Sequence, residues 1–118
     1  MKALKVGIMS YENYKKRVLA IAAGKYKPGL NEPKVWFESL RALAEVLNEK
    51  NTRLLSLIQN AKPSSIKNLA ELSGRKSSNL SRTLKTFERY GIVELKKENR
   101  FVRPIARAID FKIEYSCA

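Results

Sequence analysis

Ser64-Ser65-Ile66-Lys67-Asn68-Leu69-Ala70-Glu71-Leu72-Ser73-Gly74-Arg75-Lys76-Ser77-Ser78-Asn79-Leu80-Ser81-Arg82-Thr83-Leu84-Lys85 is the stretch on which the fold turns. Ser64 or Ser65 caps a short helix whose buried side is Ile66, Leu69, Ala70 and Leu72. A turn containing Gly74 follows, and then a second helix rich in small polar and basic residues. Ala70 is small where the two helices cross, and Gly74 stands where the chain reverses and positive φ is easily taken by glycine. This order is that of a helix-turn-helix, whose second helix can enter the major groove of DNA.

The second helix is expected over residues 77–90, with Gly91 as the residue just past its end. Leu80, Leu84 and Phe87, spaced four and three apart, form its buried stripe. At roughly 100° per residue, Ser78, Arg82, Lys85, Thr86 and Arg89 fall on the opposite side, with Asn79 on the flank. These residue types read base edges: Arg pairs with guanine, Asn with adenine, Ser and Thr with either. No carboxylate precedes Glu88, and the free N–H groups at the helix start favour a phosphate. Ser64, Ser65, Arg75, Lys76 and Ser77, around the turn and the helix starts, complete the candidate DNA-binding set on the helices.

Outward toward the C-terminus, residues 91–107 read as two strands around a Glu98-Asn99 turn, since Asn tolerates the left-handed backbone of tight hairpins. Lys96, Lys97, Arg100 and Arg103 lie at the tip, as candidate phosphate contacts that would position the helix. Pro104 confines the second strand to an edge or to its own end. Ile109, Phe111, Ile113 and Tyr115 then alternate on one face of a last strand, which can pair with a strand over residues 4–9, within one chain or between two.

Outward toward the N-terminus, Asn51 or Thr52 is expected to open a helix carrying Leu54, Leu55, Leu57 and Ile58 and ending before Pro63. Pro33 sits where a helix with the stripe Trp36, Leu40, Leu43, Ala44 and Leu47 would start. Leu4, Val6 and Ile8 mark a short strand. Ser10 caps a helix with Tyr11, Tyr14, Val18, Ile21 and Ala22 on one face, ended by Gly24. Residues 24–33, with two Gly and two Pro, form a loop and a candidate hinge.

The 118 residues suit one core. Lys and Arg number 24 against 11 acidic residues, a net charge of +13. That exceeds the roughly 2–8 that keeps a small domain soluble, and it attracts polyanions. No long apolar run or basic amphipathic tail suits a membrane. The chain lacks His and has one Cys, Cys117, which removes Ser-His and Cys-His dyads, disulfides within the chain and multi-Cys metal sites. Neither catalysis nor a cofactor is expected. The first nine residues, with a Lys inside them, are too short in apolar length for a signal peptide, so a cytoplasmic location is expected.

Leu69-Ala70 with Gly74, Asn79-Leu80-Ser81-Arg82 with Leu84, and Tyr90-Gly91-Ile92-Val93 resemble winged helix-turn-helix regulators of the MarR/ArsR kind. A longer pattern also looks like a family of small predicted prokaryotic DNA-binding regulators. It comprises Leu4-Lys5-Val6-Gly7-Ile8, Glu32-Pro33-Lys34-Val35, Phe37-Glu38-Ser39, Pro63-Ser64-Ser65-Ile66 and the terminal β segment. The resemblance implies a mainly α fold with a small β component: a winged helix-turn-helix with an added N-terminal strand and helix and a C-terminal strand. It implies double-stranded DNA binding through residues 77–89 and the wing, and a homodimer. Residues 1–32 are then a dimerisation segment, and residues 33–118 the DNA-binding domain with its C-terminal strand. The alternatives are an antitoxin-type protein that binds a toxin and represses its own gene, and an RNA-binding winged-helix protein.

Overall fold

The structure is a computed structural model, described over residues 3–117. The elements run β1 (Leu4–Ile8), α1 (Tyr11–Ala22), β2 (Val35–Phe37), α2 (Leu40–Val46), α3 (Glu49–Ala61), α4 (Ile66–Ser73), α5 (Ser77–Arg89), β3 (Val93–Glu98), β4 (Phe101–Ala106) and β5 (Phe111–Glu114). The architecture is mixed α/β with two small sheets. One is three-stranded and parallel, ordered β2-β1-β5, and the other is the antiparallel β3–β4 hairpin. Among the described residues, no helix is long and apolar enough to cross a membrane.

Local chemistry sets most helix starts. Ser10, Ser39, Asn48 and Ser65 each accept a hydrogen bond from the backbone N–H three residues on, satisfying a donor that the first turn leaves free. Gly74 ends α4 at φ 72°, and Gly91 takes the same value just past α5.

Two expectations for the middle of the chain are corrected. No helix starts at Pro33. Val35-Trp36-Phe37 pairs with β1 in the register Val6 to Val35 and Ile8 to Phe37, and the helix begins only after Ser39. β-Branched and aromatic side chains suit a pleated surface, and Ser39 supplies the cap that Pro33 cannot. Likewise, α3 opens at Glu49 behind Asn48, not at Asn51 or Thr52, because the Asn48 Oδ1 receives the Asn51 N–H at 2.9 Å.

The last strand does pair with the first, in parallel and within one chain, from Leu4 opposite Phe111 to Gly7 opposite Glu114. β1 is therefore the central strand, and everything between β2 and β5 is an excursion from one sheet edge to the other. The sheet takes strands from both sides of residue 32. Trp36 lies across the β1 backbone at Gly7, where an added Cβ would overlap the indole ring.

The larger core joins Leu54, Leu55 and Ile58 of α3, Leu69 of α4, Leu80, Leu84 and Phe87 of α5, and Ile92, Val93 and Ala106 of the hairpin. Leu72, expected in this core, is 49% exposed. A smaller core, Val6, Phe37 and Leu43, lies on one face of the sheet. Leu4, Val46, Leu47, Tyr90 and Phe111 touch both cores. Tyr90 stacks on Phe37 with ring centres 4.2 Å apart.

α1 stands apart from both cores and buries no side chain. Its flank is held at Arg17, which pairs with Glu32 at 3.1 Å and lies over the rings of Tyr26 and Trp36. Glu32 also accepts from the Tyr26 hydroxyl and, at 2.8 Å, from the Gly29 N–H, contacts that hold its carboxyl below the usual range. The loop expected as a hinge is thus pinned at one carboxylate. Of the stripe expected on α1, Tyr11, Tyr14 and Val18 are exposed and Ile21 is half-buried, while Leu19, outside that expectation, is 60% exposed. The radius of gyration is 16.1 Å, against about 13.5 Å for a compact domain of this length.

Candidate nucleic-acid interface

α5 is amphipathic. Leu80, Leu84 and Phe87 are fully buried, whereas Ser78, Asn79, Arg82, Lys85 and Arg89 are exposed, as are Lys76 and Ser77 at its start. Thr86 is half-buried and donates its hydroxyl to the Arg82 carbonyl at 3.1 Å. Arg89 lies over the Tyr90 ring, 5.7 Å from its centre. Glu88 is the first carboxylate in the helix. Among the five described helices, α5 alone starts without a side-chain cap. Its leading N–H groups and the positive end of its dipole are therefore left to solvent or to an anion.

The α4 start differs. Ser65 is buried, and its hydroxyl accepts the Asn68 N–H at 3.0 Å, while Asn68 Oδ1 receives the Ser64 N–H at 3.1 Å. This reciprocal cap leaves Ser64, and not the Ser65 hydroxyl, at the surface.

Arg75 is also turned inward. Its Nε and Nη2 donate to Asn79 Oδ1 at 2.9 and 2.6 Å, Nη2 donates to Thr83 Oγ1 at 3.0 Å, and Nη1 to Asn51 Oδ1 at 3.2 Å. Asn51 in turn donates to the Val46 carbonyl at 3.0 Å. Desolvation lowers the Arg75 guanidinium from its usual value. One side chain thus ties the α4–α5 turn to α3 and to two positions on α5. Sequence reading missed Asn51 and Thr83. The 79–83 spacing of four was a visible signal, but no pattern joins residues 51 and 75.

The hairpin is fixed to the end of α5 by Ile92 N–H to the Phe87 carbonyl at 2.9 Å and Arg107 N–H to the Ile92 carbonyl at 2.8 Å. Its tip is Asn99-Arg100, one residue later than expected, because Glu98 pairs with Phe101 and Asn99 takes φ 52°. Val93, Pro104 and Ala106 face the core. Lys96, Glu98 and Arg103 share the outer face, where Glu98 meets Arg103 at 2.9 Å and Lys96 at 3.8 Å. Lys97 and Arg100 are exposed, and among the described residues neither has an ion-pair partner. Phe101, 56% exposed beside them, was not singled out from sequence, where it reads as one more apolar strand residue.

A mixed α/β chain thus presents, on one module, a basic uncapped helix and a hairpin with two free cations at its tip. The HVO_A0114 family model matches residues 46–113, more than half of the chain, and the chain belongs to that family. The matched region holds α3, α4, α5 and the hairpin and ends in β5, leaving β1, α1 and β2 outside. No curated protein and no solved structure matches the chain.

Proposed function

We propose that this protein is a sequence-specific, double-stranded DNA-binding transcriptional regulator in which α4 and α5 act as a helix-turn-helix and β3–β4 as its wing. One observation carries the reading. The solvent face of α5 has Ser78, Asn79, Arg82, Lys85 and Arg89 exposed, no carboxylate before Glu88 and an uncapped N-terminus. A helix about 10–12 Å across fits a major groove about 12 Å wide. In that position Arg82 is placed to read a base edge and Lys76, Lys85 and Arg89 to meet phosphates. The wing adds Lys97 and Arg100 to the flanking backbone.

The same reading includes a homodimer. A single helix-turn-helix reads few base pairs, and two-fold pairing places two helices about 34–36 Å apart on one face of the duplex. The uncovered stripe Tyr11, Tyr14, Val18 and Leu19 on α1, outside the module, is the pairing surface. It exposes roughly 400 Å² of side chain per copy. That is the size of the largest patches on monomers, which are often functional.

Selection from random duplexes tests the function. The expected result is an enriched inverted repeat whose binding survives excess structured RNA. Equal competition by RNA would assign the basic face to RNA, and an absence of enrichment would leave only charge-driven binding.

A further inference from the structure

Asn79 stands on the exposed flank of α5, in its first turn, where a recognition helix meets base edges. An asparagine there is ordinarily read as an adenine contact. That pairing is bidentate: the amide N–H donates to N7 and the amide oxygen accepts from N6. It requires a free lone pair on Oδ1.

Here that oxygen is occupied. One edge of the Arg75 guanidinium donates both of its N–H groups to that oxygen, from Nε and Nη2 at 2.9 and 2.6 Å, and two accepted bonds are the ordinary complement of an amide oxygen. The orientation of the amide is not ambiguous, because a guanidinium only donates and must face oxygen, not nitrogen. Arg75 is itself held in place. Its other contacts to Thr83 Oγ1 and Asn51 Oδ1 use a second N–H of Nη2 and one of Nη1. Asn51 is locked by its own bond to the Val46 carbonyl. Asn79 therefore offers its two Nδ2 hydrogens, while Oδ1, accepting twice and held against a cation, is a poor acceptor for a third N–H such as adenine N6.

We infer that Arg75 is a specificity-determining positioning residue. By capping the Asn79 amide oxygen it makes Asn79 a donor-only reader that selects guanine and rejects adenine at the base pair it faces. Guanine presents two major-groove acceptors, O6 and N7. Thymine presents one. Adenine sets its N6 donor against a donor, and cytosine presents only a donor. This rests on the DNA reading above and adds which base the helix selects.

The test is selection from random duplexes with the full chain and three variants. Asn79→Ala identifies the position that Asn79 reads, as the one whose preference flattens. At that position the wild-type protein should enrich guanine over adenine by about fivefold, the weight of one net hydrogen bond. Arg75→Met removes the donors and frees Oδ1, so the preference should turn to adenine. A merely structural role for Arg75 would lower affinity on every sequence and leave the preference in place, and that result overturns the inference. Should Arg75→Met fail to fold by circular dichroism, Asn79→Asp decides. It keeps the carboxyl-type oxygen that accepts from Arg75 and removes the amide donors, so it should fold normally and lose the guanine preference. Retained guanine preference in Asn79→Asp, or adenine at that position in the wild type, refutes the clamp alone. If the wild-type protein enriches no duplex, the DNA reading fails and the base assignment with it.

Discussion

The four cations near the hairpin tip should not be equivalent on DNA, and the reason is Glu98. Lys96 and Arg103 share that carboxylate at 3.8 and 2.9 Å, so a phosphate must compete for them. Lys97 and Arg100 are exposed, without an ion-pair partner among the described residues. Each cation that meets a phosphate releases about 0.9 counterion, which enters the slope of log affinity against log salt. Replacing Lys97 and Arg100 together by Ala should make that slope shallower by about 1.8. Over a fourfold rise in salt, from 50 to 200 mM, the affinity gap between wild type and variant should then narrow by roughly twelvefold. Replacing Lys96 and Arg103 instead should move the slope by less than one, since the one carboxylate of Glu98 already offsets half of their charge, while the freed Glu98 weakens binding at every salt. Fluorescence anisotropy with a labelled selected duplex and a scrambled duplex, at four salt concentrations, measures both quantities. The two duplexes should weaken alike, because phosphate contacts carry no sequence information. An unchanged slope in the Lys97 and Arg100 variant, or a loss confined to the selected duplex, would refute the wing's part in binding.

Arg82→Ala should cost about 1–3 kcal/mol on the selected site and far less on a scrambled one, in the same anisotropy assay; an equal loss on both would make Arg82 a phosphate contact. Val18→Asp with Leu19→Lys, on the uncovered stripe of α1, should convert a dimer to a monomer in sedimentation velocity. Unchanged sedimentation would remove α1 from any pairing surface. Gly7→Ala should destabilise the protein by about 1–3 kcal/mol in urea unfolding, because its Cβ would overlap the Trp36 ring. Adding Trp36→Leu should recover part of that loss, and no recovery would mean that the strain lies elsewhere.

Where the chain carries its own periodicity, the fold was legible. Leu80, Leu84 and Phe87 specify the buried side of α5 without tertiary information, and Asn99 and Gly91 mark the turns that bound the hairpin. Trp36 shows the limit of local periodicity. Trp36, Leu40, Leu43 and Leu47 are spaced as on a helix, yet Trp36 belongs to a strand. Three residues hold too little pattern to outweigh a helical stripe, and pairing with β1, almost 30 positions away, decides the conformation. The parallel pairing of β1 with β5 joins the two ends of the chain, so local chemistry could name the strands but not their direction. The apolar stripe of α1 was visible as well. Periodicity identifies a face, not its partner. The candidate site was legible as a set of exposed side chains on α5 and not as a network: Arg75 reads as one more basic residue until Asn51, Asn79 and Thr83 are brought around it.

That network also bears on why the sheet is present at all. α5 is tied to the rest of the molecule at both ends. At its C-terminal end Tyr90 stacks on Phe37 of β2 and joins the small core of the sheet. At its N-terminal end Arg75 reaches Asn51, and Asn51 reaches the carbonyl of Val46, a residue packed against both cores. Displacing α5 relative to β1 and β2 therefore requires unstacking an aromatic pair, breaking side-chain hydrogen bonds, or both. Supported by the larger core alone, α5 would take its angle only from α3, α4 and the hairpin. Here the angle is set against the parallel sheet, and α1 leaves that same sheet directly from β1 and is braced to Trp36 of β2 through Arg17. If two copies meet through α1 and α5 reads DNA as proposed, the path from the two-fold axis to each α5 runs through packed side chains, not through a free linker. Half-site spacing would then depend on Phe37, Tyr90, Arg17 and Trp36, which lie outside the proposed DNA-contacting set.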